Sequence, residues 1–182
     1  MTHVELTIVS LENSLGSVGG VCLGNIDLIE HQRLSGAGYC YSAASPPFTA
    51  AAATKGIHIL KSHPELISKL EQNRKALFEG LNTINQCTVS SDTRSSIAFL
   101  YLKSGRTKTR YEKLNIMNEI AHMCRTKGVL VVSTGHISKS IRLIPEPSIR
   151  LTVTALHSVD DIQFAIKVLK GAAGAVCGTF ND

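Results

Sequence analysis

The chain is 182 residues long, 43% hydrophobic and 18% charged, with a formal net charge of +5. That length and apolar content can bury one sizeable core and exclude a disordered chain, and the scattered lysines and arginines carry no nucleic-acid recognition motif. The longest apolar stretches, 46–53 and 128–132, fall far short of the roughly 20 residues of a membrane-spanning helix, and the N-terminus lacks the basic segment and cleavage site of a signal peptide, so the chain as given is expected to be soluble.

Residues 4–11 (VELTIVSL) form a short β-type run, and glycine-punctuated LGSVGGVCLG follows at once, which predicts a strand, a glycine-rich turn and a second strand. A short helix is expected over 25–34, with Asn25 as N-cap and Asp27 in its first turn. The stretch 35–45 (SGAGYCYSAAS) reads as a loop. Ser45 is expected to cap a helix with Pro46 and Pro47 in its first turn; residues 49–54 there are nearly all alanine, which lets another backbone approach closely and points to a buried helix. Beyond Pro64, Leu66, Leu70, Leu77, Leu81 and Ile84 recur at helical spacing.

From Cys87 the apolar period changes to two, and 96–103 (SIAFLYLK) is a strong strand. The densest basic cluster, 103–113, reads as a solvated loop leading into a helix from Thr109, whose stripe is Leu114, Met117, Ile120, Ala121 and Cys124. Gly128 ends that helix before a strand at 129–133. Two short strings, Ser140–Leu143 and Ser148–Leu151, read as strands flanking Ile-Pro-Glu-Pro, and Ser158 with Asp161 forms a capping-box-like pair before the last helix. The second half therefore predicts helices on a small, mainly antiparallel sheet. The first 25 residues do not fit that unit, because two strands alone make a marginal sheet, and the chain is expected to be the C-terminal portion of a larger α/β subunit.

The five cysteines, Cys22, Cys40, Cys87, Cys124 and Cys177, are widely spaced and read as reduced, mostly buried thiols. His3, His31, His58, His63, His122, His136 and His157 show no ligand spacing, and no metal site is expected.

Four stretches read together, 12–20 (ENSLGSVGG), 31–47 (HQRLSGAGYCYSAASPP), the helix that follows, and 147–158 (PSIRLTVTALHS), resemble the α-oxoamine synthase family of pyridoxal-phosphate enzymes, across nearly the whole chain. The resemblance implies the fold type I architecture of such transferases: residues 1–62 as the end of the large cofactor-type domain with an interface loop, and residues 63–182 as the C-terminal small α+β domain. Catalytic members read like S-K-A-L-G-S-x-G-G where this chain has Glu12-Asn13-Ser14-Leu15-Gly16-Ser17-Val18-Gly19-Gly20. Their lysine forms a Schiff base with the cofactor aldehyde. The amide nitrogen of Asn13 cannot, because its lone pair is delocalised into the carbonyl. The first lysine in the chain is Lys55.

The resemblance therefore implies a non-catalytic subunit without catalytic residues of its own, paired with a partner whose lysine holds pyridoxal phosphate. Gly16, Gly19 and Gly20 would shape the partner's site, and Ser42 would donate a hydrogen bond across the interface. Catalytic members often carry Thr-Ser-Leu where this chain has Ala43, Ala44 and Ser45, which removes one candidate hydroxyl. Tyr39 and Tyr41 are candidate interface anchors. Arg150 matches the family arginine that holds the amino-acid carboxylate, a natural use of a guanidinium; without a cofactor of its own the chain has no evident reason to hold serine, which favours a structural or interface salt bridge over a substrate contact. A divergent active synthase and an unrelated binding module are the other two readings. Carbon dioxide release from an amino acid by this chain alone would mark the first, and failure to co-purify with a lysine-bearing subunit the second.

Overall fold

The computed structural model describes residues 4–103, 109–135 and 145–179, and the chain divides into two compact units, 1–64 and 65–182. In the first unit β1 (Leu6–Ser10) and β2 (Gly20–Gly24) pair antiparallel, Leu6 opposite Gly24 and Val9 opposite Val21. The loop between them is closed by its own backbone: the Leu11 N–H donates to the Gly19 carbonyl at 2.9 Å and the Ser17 N–H to the Leu11 carbonyl at 2.9 Å. Gly16 and Gly19 sit at φ 63° and 91°, left-handed backbone that side chains with a Cβ resist. Helix α1 (Ile26–Ser35) follows, with Asp27 in its first turn; Asn25 stands at the N-cap without a side-chain hydrogen bond.

Three expectations for this unit are corrected. The stretch 35–45 is not loop throughout, for it contains the one-turn helix α2 (Ala37–Cys40). Helix α3 (Pro47–Ser62) has Pro46, not Ser45, at its N-cap; proline's fixed φ suits the entry to the helix, and the Thr49 hydroxyl donates to the Pro46 carbonyl at 2.7 Å. Nor is α3 buried: only Thr49 and Ala53 are, because one hairpin and two short helices offer too little surface to cover it. Large apolar side chains of the unit stay exposed, among them Ile8 at 76%, Leu34 at 80% and Tyr41 at 90%.

The second unit carries the core. Strands β3 (Cys87–Ser90), β4 (Ile97–Leu102), β5 (Val132–Thr134) and β6 (Ser148–Thr152) form one sheet in the order β3-β4-β6-β5, each neighbour antiparallel. Helices α4 (Glu65–Leu81), α5 (Arg110–Thr126) and α6 (Val159–Thr179) complete it. The apolar stripe of α5, Ile116, Ile120 and Cys124, is fully buried with Leu81, Leu100, Ile149 and Leu169. Alternation along β6 buries Ile149 and Leu151 and leaves Arg150 and Thr152 exposed. Thr109 and Glu112 form a complete capping box at the start of α5. Between α4 and α6 the approach is close: a Cβ at Gly80 would lie 2.6 Å from Ile166 Cγ1.

The strand expected at 129–133 starts later, at Val132. Gly128 at φ 82° ends α5, and the Val129 N–H turns back to the Cys124 carbonyl at 2.9 Å, so the chain reaches the sheet only after that helix-ending turn is complete. The strand at Ser140–Leu143, His3, His136 and part of the basic cluster, 104–108, lie outside the described residues. Among the described residues no helix is long and apolar enough to cross a membrane.

Candidate functional site

The first candidate region is the β1–β2 loop. It collects Asn13, Gly16 and Gly19, with Gly20 opening β2, and Asn13 and the three glycines are exposed. Two contacts seat it on α3. The Ser17 hydroxyl donates to the Thr49 carbonyl at 2.7 Å, and Gly56 lies so close that a Cβ there would be 2.8 Å from the Leu15 carbonyl oxygen. The close backbone approach thus falls at Gly56, beyond the alanine-rich stretch 49–54 where it was expected; Ser17 went unnoticed, since a contact across 32 positions leaves no local signal.

Ser42 lies just beyond α2 and is exposed; its hydroxyl donates to the Gly38 carbonyl, which commits its proton locally and leaves its lone pairs open. Tyr39 and Tyr41 are exposed beside it.

Arg150 stands in the second unit, opposite Phe99 of β4 and Val132 of β5. It lines a cleft of about 510 Å³ with Leu130, Val132, His157, Asp161 and Phe164, and forms no ion pair among the described residues. The other titratable groups of the cleft hold the backbone. His157 Nδ1 accepts from the Thr154 N–H at 3.2 Å, and Asp161 accepts from both the Ser158 hydroxyl at 2.7 Å and its N–H at 2.9 Å. These two donors, the hydroxyl first, hold the Asp161 carboxyl below the usual carboxylate range. The carboxylate that caps α6 stabilises the fold fully above its unfolded-state pKa near about 4, and that contribution is lost as pH falls through the lower folded value. The melting-temperature gap between the parent and Asp161→Asn is therefore expected to shrink from about pH 6 to about pH 2; a constant gap would contradict the capping role.

Asn73 is a side chain supporting this cleft that sequence reasoning missed. It is 1% exposed on α4, and its Nδ2 donates to the carbonyls of Thr154 at 2.9 Å and His157 at 2.8 Å, pinning the turn between Arg150's strand and α6. Cys22, Cys40, Cys87 and Cys124 are free thiols, and Cys87, Cys124 and Cys177 are buried; desolvation pushes the Cys87 thiol up to about 12 and raises that of Cys124, so neither is a thiolate nucleophile near neutral pH. Among the described residues no group of three or more His, Cys, Asp or Glu could hold a metal ion.

Covalent attachment of pyridoxal phosphate needs an amine, and the β1–β2 loop offers the Glu12 carboxylate, the Asn13 carboxamide, the hydroxyls of Ser14 and Ser17 and backbone N–H groups. The donor set does not fit that attachment.

Residues 1–169 match the family Aminotransferase class I and II. The chain is 32% identical over 174 residues to Serine palmitoyltransferase 1 of Dictyostelium discoideum, covering 92% of this chain and 36% of that protein. It is 31% identical over 170 residues to Long chain base biosynthesis protein 1 of Arabidopsis thaliana, covering 93% and 35%. The chain thus spans just over a third of the length of these relatives. Among solved structures it resembles the serine palmitoyltransferase of Sphingomonas wittichii, with a TM-score of 0.77 at 20% identity over 96% of this chain and 41% of that one. The 8-amino-7-oxononanoate synthase of Francisella tularensis gives a TM-score of 0.73 at 18% identity, covering 94% and 46%.

Proposed function

The chain belongs to the class I and II aminotransferase family, and from its 32% and 31% identity to Serine palmitoyltransferase 1 and Long chain base biosynthesis protein 1 we propose that it is the C-terminal portion of the non-catalytic first subunit of serine palmitoyltransferase. The whole complex would condense L-serine with palmitoyl-CoA to 3-ketosphinganine, the opening reaction of sphingolipid synthesis. Its partner would be the catalytic long-chain-base subunit 2, whose lysine holds pyridoxal phosphate and supplies the electron sink for the reaction. Full-length relatives of this kind would sit in the endoplasmic reticulum membrane with these domains facing the cytosol.

The observation that carries the proposal is Asn13: the position where a catalytic member needs an amine holds a carboxamide, on an exposed loop whose other members bring no amine either. The exposed apolar residues of the first unit support it, because a surface of that kind is ordinarily covered by another part of an assembly. In this reading residues 1–62 end the large domain and 63–182 form the small one. Gly16, Gly19 and Gly20 give the loop its turn beside the partner's cofactor, and Ser42, its proton held by the Gly38 carbonyl, accepts a hydrogen bond across the interface. Arg150, exposed and without an ion partner among the described residues, has its guanidinium available for a carboxylate on substrate or partner.

That unpaired guanidinium also favours a second reading, a divergent α-oxoamine synthase active by itself. Acyl-CoA-dependent release of carbon dioxide from serine separates the two. Under the proposal the chain alone releases none, and when co-expressed with a lysine-bearing second subunit it co-purifies as a pair that does. Activity of the chain alone, or no co-purification, would refute it.

A further inference from the structure

The loop that bears Asn13 has no covalent tether, so its shape rests on non-covalent contacts that can be named. Two are internal, the hydrogen bonds from the Leu11 and Ser17 amides that close the turn. The other two attach it to α3. The Ser17 hydroxyl reaches the carbonyl of Thr49, and at Gly56 the helix backbone comes so near Leu15 that a Cβ would sit 2.8 Å from its carbonyl oxygen and 3.2 Å from its Cα. Thr49, Ala53 and Gly56 fall at successive helical turns on one face, and Thr49 and Ala53 are the only buried residues of α3. Around Gly16 and Gly19, by contrast, a Cβ would meet nothing within 4 Å. One side of the loop is seated on a helix and the other side is open.

We infer that Ser17 and Gly56 are positioning residues: the pair fixes the height and tilt of the Asn13–Gly20 loop on α3, and with them the shape of the surface presented to the partner's cofactor site. The inference rests on the assignment proposed above. The contact at position 56 is with backbone atoms, which cannot swing aside as a flexible side chain would. Gly56→Ala therefore lifts the loop by about half an ångström to regain ordinary van der Waals distance. Loss of the Ser17 hydroxyl removes the hydrogen bond that draws the loop down and leaves the Thr49 carbonyl with the helix as its remaining partner.

The test uses the complex of the full chain with a lysine-bearing second subunit, purified as the parent and as Gly56→Ala, Ser17→Ala and Ser17→Thr. The first readout is the resting absorbance band of the pyridoxal phosphate held by the partner, which registers a change in the cofactor's surroundings without turnover. The second is kcat/KM for serine. Gly56→Ala is expected to shift the band and lower kcat/KM roughly tenfold, since about 1 Å of misplacement can cost about a hundredfold. Ser17→Ala should shift the band in the same sense, and Ser17→Thr, which keeps the donor, should restore it. A change in fold stability alone would not move the band of an assembled complex and would not be reversed by a hydroxyl. An assembled Gly56→Ala or Ser17→Ala complex with the parent's band and kcat/KM would overturn the inference. Should Gly56→Ala fail to assemble, Ser17→Ala, which introduces no clash, decides. Failure of the unsubstituted chain to assemble is visible before any variant is made, and it refutes the proposed function itself.

Discussion

Asn73→Ala is expected to destabilise the chain by about 3 kcal/mol and to lower its melting temperature by roughly 9 °C. The side chain is buried on α4, and its one amide nitrogen serves two carbonyls, those of Thr154 and His157. Removing it leaves both acceptors without that donor in a place water does not readily reach, and each unsatisfied group costs about 1–3 kcal/mol. The sharper test is Asn73→Asp. It keeps the shape, loses the donor and sets a negative charge against two carbonyl oxygens, so it must be at least as damaging as alanine. A thermal or urea melt in which Asn73→Asp is tolerated would show that the residue acts by filling space.

Gly80→Ala is expected to cost about 1–2 kcal/mol, the opposite of what helix propensity alone dictates, since alanine in a helix interior is favoured over glycine by about 1 kcal/mol. At this position the new methyl would meet Ile166 at 2.6 Å from Cγ1 and 3.0 Å from both Cγ2 and Cδ1. Isoleucine branches at Cβ and has few rotamers into which to retreat, so α4 and α6 must separate. The signature is coupling. In a double-mutant cycle Gly80→Ala and Ile166→Ala together should be less destabilising than the sum of the two, because the added methyl occupies part of the space the isoleucine vacates. Additive effects would mean that the helices do not meet at this point.

The sequence made legible whatever depends on neighbours in the chain. The β1–β2 hairpin followed from two apolar runs around glycines, the Ser158–Asp161 pair from its spacing, and the alternation of β6 from the pattern around Arg150. Departures arose where a local signal competed with another. Gly128 reads as a clean stop before a strand at 129–133, but the helix-ending turn claims Val129, and pairing with β6 begins at Val132. The stretch 35–45 has the glycines and serines of a loop, yet Gly36 is followed by one helical turn, Ala37–Cys40. Proline displaced Ser45 from the N-cap of α3 because its backbone is already set for helix entry.

The site divides in the same way. What Asn13 cannot do is readable from its identity, since the reactivity of a carboxamide does not depend on its surroundings. How its loop is held is not, because Ser17–Thr49 and Leu15–Gly56 join residues 32 and 41 positions apart in sequence, and only the folded hairpin brings them together. Asn73 was invisible for the same reason: an asparagine in a helix pattern is ordinarily solvated, and its two acceptors lie 81 and 84 residues further on.

Where the cofactor is attached decides whether this chain is the non-catalytic member of its pair, and reductive labelling measures that directly. The complex of this chain with a lysine-bearing second subunit, loaded with pyridoxal phosphate and treated with borohydride, should yield one pyridoxyl-lysine, on the second subunit, with every peptide of this chain unmodified. A stoichiometric pyridoxyl group on Lys55 or any other lysine of this chain would contradict it.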